Sequence, residues 1–117
     1  MQQDFIIHTK MLEILLWSFE KANTFPKKQR FVLGQQLENS CLASLRYIIE
    51  ANQRKSAADK LIKLEDLNVE LAVLRDLFRV AFELNFLKAS SLGFITAKID
   101  EVGRMGGSWQ KKLRGRV

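Results

Sequence analysis

The sequence holds one cysteine, one proline, one histidine and six glycines in 117 residues. A lone cysteine, Cys41, cannot close an internal disulfide, so a disulfide-stapled secreted scaffold is excluded. One proline, Pro26, and six glycines are too few for the many turns of an all-β fold. A single histidine, His8, with no second His or Cys nearby, leaves no zinc-ligand spacing. No apolar run approaches the roughly 18 residues of a membrane span. Asp4 and His8 interrupt the first apolar stretch, so no secretory signal is read and a cytoplasmic protein is expected.

Catalytic constellations are missing as well. Glu65 with Asp66 and Asp100 with Glu101 are adjacent pairs, which a helix points to different faces. The glycines at 103, 106 and 107 follow no strand, so they do not form a phosphate-binding loop. Cys41 falls on an apolar stripe, as a small buried hydrophobe does. The expectation is a non-enzyme with no catalytic residue, no metal and no cofactor.

What is present is an apolar content of 47%, 27% charged residues and a net charge of +6. The first two suit a single folded domain spanning residues 1–117. The charge favours a polyanionic partner, with solubility as the alternative use. Beyond Glu101 every charged residue is cationic: Arg104, Lys111, Lys112, Arg114 and Arg116.

Apolar spacing predicts four helices, at about residues 4–22, 27–52, 56–88 and 91–114. In the last, Leu92, Ile95, Ile99, Val102, Gly106, Trp109 and Leu113 follow a 3-4 rhythm, the seam of a helix packed on other helices. Gly103, Gly106 and Gly107 read as a notch for close contact, and Ser90 or Ser91 as the N-cap. Helix one carries two stripes. Phe5, Leu12, Leu15, Leu16 and Phe19 form the first, and Ile7, Met11, Ile14 and Trp17 the second. Two stripes predict one face for the bundle and another, assigned to Ile7, Met11, Ile14 and Trp17, for a second subunit; the alternative is a helix sunk deeply in one bundle.

Helix two begins near Pro26, and Phe31, Gly34, Leu37, Cys41, Leu45 and Ile48 form its stripe. Lys27, Lys28 and Arg30 at its start oppose the helix dipole, either as cations placed for a partner or as a solvated turn. Helix three has a first stripe of Ala57, Leu61, Leu64, Leu71, Leu74, Phe78 and Ala81, and a second of Val69, Val73, Val80, Leu84 and Leu87. Arg75 and Arg79 lie between them, able to pair with Asp76 and Glu83 or to serve a protein interface. Short connections make neighbours antiparallel, so the expected architecture is an all-α, up-down-up-down four-helix bundle.

Three blocks then carry a resemblance. They are Arg30-Phe31-Val32-Leu33-Gly34 after Phe25-Pro26, the stretch from Leu74-Arg75 to Leu84, and residues Ile99 to Trp109 with their Glu-Val-Gly-Arg and Gly-Ser-Trp elements. Over roughly residues 25–113 the chain resembles the accessory variability protein (Avd) of diversity-generating retroelements. The wider four-helix family includes proteins encoded within ribosomal-RNA intervening sequences, which carry an Asn-Ile-Ala-Glu-Gly-like stretch late in helix two. Tyr47-Ile48-Ile49-Glu50-Ala51 stands there instead, which favours the accessory branch.

The resemblance implies a ring-shaped homopentamer that binds DNA or RNA and associates with a reverse transcriptase in mutagenic retrohoming. Lys27, Lys28, Arg30, Arg104, Lys111, Lys112, Arg114 and Arg116 are the residues expected at phosphates, and Arg75 and Arg79 at a polymerase or subunit contact. The competing readings are an oligomeric protein-interaction scaffold and a ribosomal-RNA-associated bundle with no retroelement role.

Overall fold

In the computed structural model the backbone is described for residues 2–116 and side chains for residues 6–116. Four helical segments pack side by side. Helix α1 is Gln2–Ala22. Helix α2 is composite, running Lys27–Gln29, a π-helical Arg30–Gly34 and Gln35–Gln53. Helix α3 is Ala57–Glu83 and α4 is Ala89–Arg114. α1 packs on α2 and α4, and α3 on the same two, which is an antiparallel up-down-up-down bundle about 47 Å long.

The connections explain the stops. Pro26, at φ −52° and ψ 142°, sets the entry to α2, while Phe25 turns inward and is fully buried. Ser56 caps α3, its hydroxyl accepting from the Asp59 amide at 3.1 Å. α3 ends at Glu83 and not near residue 88. Asn85 takes φ +66°, and the Phe86 and Asn85 amides donate back to the Ala81 and Phe82 carbonyls. That pair of bonds is a Schellman stop, with asparagine tolerating the left-handed residue. Phe86 then packs on Phe25, ring centroids 5.8 Å apart. Lys88, not a serine, precedes α4, and Ser90 and Ser91 lie in its first turn.

The core corrects two sequence readings. Ile7, Met11 and Ile14 are at most 1% exposed and sit in their own chain's core, so they are not an outward face. Trp17 is half-buried, packed edge-on against Phe78 at 5.8 Å and tilted on Phe94 at 5.6 Å. The exposed apolar residues of α1 are instead Ile6, Leu12 and Leu16, and Leu12 and Leu16, the latter 63% exposed, come from the stripe read as the core face. Phe5 of that stripe lies outside the described side chains.

The second correction is Phe31, which is 72% exposed while Leu33 is buried. Leu33 stands four residues before Leu37 and shares its face, whereas Phe31, in the π-helical Arg30–Gly34 turn, stands six before it and about 120° around the helix. Downstream, Leu37, Cys41 and Ile48 occupy the core as the spacing predicts. In α3, Leu64, Leu67, Leu71, Leu74, Phe78 and Ala81 are buried, whereas Val69, Val73, Val80 and Leu84 are exposed. Leu87 of the second stripe lies beyond the helix and is buried.

Of the glycines in α4, only Gly106 faces the core. A Cβ there would stand 3.6 Å from Leu67 Cδ2 and 3.9 Å from Ile7 Cδ1. Gly103 and Gly107 have nothing within 4 Å of such an atom, so the three do not form one notch within the chain.

Candidate nucleic-acid interface

The antiparallel order distributes the cations. Lys27, Lys28 and Arg30 open α2, beside the C-terminal ends of α1 and α3. All three are exposed, and Arg30 Nε donates to the Phe25 carbonyl at 3.1 Å, which ties its side chain to the turn. Arg104, Lys111, Lys112, Arg114 and Arg116 are exposed on the second half of α4 and just beyond it, at the opposite end of the bundle. The two sets are therefore not one patch. The long axis of the molecule separates them.

At the α4 C-terminal end the fold adds residues that sequence reading left out. The α2–α3 connection carries Arg54 and Lys55, both exposed. Lys60 and Lys63 open α3 there, but both are committed. Lys60 Nζ donates to the Ala51 and Asn52 carbonyls at 3.0 Å, closing the α2 C-terminus, and Lys63 stands 3.4 Å from Glu50. The signal for Arg54 and Lys55 was the antiparallel topology itself, which returns the α2–α3 turn to the end where α4 finishes. Lys111, Lys112 and Arg114 also stand in the last turn of α4, where the helix dipole favours cations.

The two central arginines divide. Arg75 Nε lies 3.0 Å from Asp100 Oδ1, a cross-helix pair that ties α3 to α4. Asp100, and not Asp76, is thus its partner. Arg79 pairs with Glu83 at 2.8 Å one turn on, as read from the spacing, and both remain exposed. A further cross-helix bond, Asn68 Nδ2 to Gln110 Oε1 at 3.0 Å, fixes the register of α3 against the cationic half of α4.

Little here invites a small molecule. A hollow between α1 and α4, lined by Glu13, Ile14, Trp17, Phe94, Ile95 and Lys98, measures about 120 Å³. Wider hollows, about 520 Å³ at the α3–α4 turn beside Phe82, Asn85, Phe86 and Lys88 and about 300 Å³ on α2 beside Asn39, Leu42, Arg46 and Tyr47, lie open to solvent and are not the enclosed, mostly apolar pockets that small molecules fill. Among the described residues no three His, Cys, Asp or Glu side chains gather as a metal site would need. Cys41 is buried, and desolvation pushes its thiol up to about 11; Glu38 and Glu70 add to the rise and a contact with Ser18 opposes it. A thiol so placed is a poor nucleophile. No helix among the described residues is long and apolar enough to cross a membrane.

Fold and charge together define a small basic four-helix-bundle protein with cationic ends. A family profile described as bAvd-like matches residues 5–113, and the chain belongs to that family. No curated protein matches the sequence. A solved structure from Bacteroides thetaiotaomicron, a protein with unknown function from the S23 ribosomal protein family, has the same fold. Its TM-score is 0.85 at 21% identity, covering 93% of this chain and 98% of that one.

Proposed function

We propose that this bAvd-like chain is a non-enzymatic accessory protein. It assembles as a homopentamer, binds DNA or RNA through phosphates, and associates with a reverse transcriptase during mutagenic retrohoming. The observation that carries the nucleic-acid part is the gathering of Arg54, Lys55, Lys111, Lys112, Arg114 and Arg116 at one end of the bundle, all exposed. Such a set holds a polyanion by charge and reads no sequence. Family membership supports the retroelement association.

The test is absolute mass by light scattering, followed by binding to mixed-sequence DNA and RNA across a salt series. Six phosphate contacts predict a log–log slope near about −5 on duplex DNA. Affinity indifferent to salt defeats the phosphate mechanism. An oligomer without affinity for either nucleic acid at about 0.15 M salt is the protein-only scaffold, and a strong preference for structured RNA is the ribosomal-RNA reading. Pull-down of the reverse transcriptase tests the remaining part.

A further inference from the structure

Two apolar faces of the bundle have no partner among the described residues. The first lies along the α1–α2 groove. Leu12 and Leu16 on α1 and Leu42 and Ile49 on α2 are exposed there, with Leu15, Phe19 and Leu45 half-buried between them. The second is the outer row of α3, where Ile62, Val69, Val73, Val80 and Leu84 are exposed over about 33 Å of helix. Monomeric proteins rarely leave two such surfaces open.

The rows match in charge and in height. On α2 the row reads Leu42, Arg46, Ile49, and on α3 it reads Ile62, Asp66, Val69, each with one charge inside an apolar frame. Neither Arg46 nor Asp66 takes part in an ion pair among the described residues. Ser40 bonded to Glu70 at 2.7 Å and Lys63 paired with Glu50 fix the register of α2 and α3. That register sets Ile49 level with Ile62, Arg46 with Asp66, and Leu42 with Val69. Copies related by a rotation axis parallel to the bundle present residues of equal height to one another. Each row would then meet the other: isoleucine on isoleucine, arginine on aspartate, leucine on valine.

The directions agree with closure. The contacts of Lys10 and Trp17 with α4 place Leu12 and Leu16 on the α2 side of α1, and the Arg75–Asp100 and Ser40–Glu70 pairs place the α3 row on its α2 side. At about 100° per residue the two faces point roughly 100° apart. Two unlike faces make a head-to-tail contact, and this angle closes into a ring of about four to six copies.

We infer that the occupant of the α1–α2 groove is the α3 row of a second copy of this chain, with Arg46 and Asp66 paired across the interface. The inference rests on the homo-oligomer reading above and names its contact faces.

The experiment measures mass by light scattering for the wild type, Arg46→Asp, Asp66→Arg, the double exchange, Leu16→Asp and Val73→Asp. Circular dichroism melting checks folding, which these outward positions leave intact. The expected result is an oligomeric wild type, single variants shifted toward one chain, and the double exchange restored. If the wild type is oligomeric and every variant keeps its mass, these faces are not the interface, though the oligomer reading stands. Dissociation of the single charge variants without recovery in the exchange overturns the Arg46–Asp66 pairing of the faces. A monomeric wild type overturns the inference and the oligomer reading together.

Discussion

Cys41 shows how one side chain takes its chemistry from its place in the bundle. Burial is the largest cause of its raised pKa, about 11 against an ordinary 9.0. Below about pH 9 the thiol is protonated in both folded and unfolded chains and contributes no pH dependence. Between 9 and 11 the unfolded chain releases a proton that the folded chain holds, so stability falls as pH rises, by roughly 2 kcal/mol at pH 11. Cys41→Ala removes that increment. The check is the difference between the two proteins' urea midpoints from pH 8 to 11: a constant difference contradicts the burial argument. Ser18, 0% exposed, has a hydroxyl that makes no full hydrogen bond among the described residues, only the weak contact that opposes the rise of the Cys41 thiol. Ser18→Ala should therefore leave stability unchanged or raise it by about 1 kcal/mol in thermal unfolding.

Among the elements, α2 separates what periodicity can and cannot reveal. From Leu37 onward its 3-4 rhythm finds the buried Leu37, Cys41 and Ile48, because a regular helix repeats its phase, while Leu45 is only half-buried at the edge of the stripe. Phe31 was placed on the same stripe although it stands six residues before Leu37, about 120° away around the helix, while Leu33, four before it, shares its face and is the buried one. Phe31, Val32 and Leu33 are all large and apolar, so composition could not say which of them faces inward. The two substitutions therefore rank opposite to the stripe that included Phe31. Leu33→Ala should cost about 2–5 kcal/mol and Phe31→Ala within about 0.5 kcal/mol, read from denaturant unfolding.

α1 failed for a related reason. Both of its stripes are apolar, so composition could not say which faces inward. α4 was legible almost throughout, its seam residues Ile95, Ile99, Val102, Gly106, Trp109 and Leu113 all being buried. The glycines beside that seam were not. Gly103 and Gly107 sit in open space with ordinary helical backbone. Gly103→Ala with Gly107→Ala should stabilise the chain by about 1–2 kcal/mol through helix propensity. A loss of stability in thermal melting would show that a neighbour needs the space.

For the molecule as a whole, the polarity of the bundle would link the proposed assembly to the proposed binding. The cationic sets lie at opposite ends of a 47 Å bundle, and residue spacing could not place them relative to each other because only the helix directions decide which ends meet. In a ring whose bundles run parallel to its axis every copy points the same way. The ends bearing Arg54, Lys55, Lys111, Arg114 and Arg116 then collect on one rim, while Lys27, Lys28 and Arg30 collect on the other. A long nucleic acid lying across one rim engages several copies at once, so its affinity exceeds that of any single end without a new contact. A variant held as a monomer by Asp66→Arg gains positive charge and keeps every one of these cations. By charge alone it should bind a long duplex at least as well as the wild type. Avidity across a rim gives the reverse, a loss of about 100-fold on a long duplex with little change on one short enough to reach a single copy. Binding isotherms on the two lengths at one salt concentration separate the explanations, and equal affinity of monomer and ring for the long duplex would show that the ends act alone.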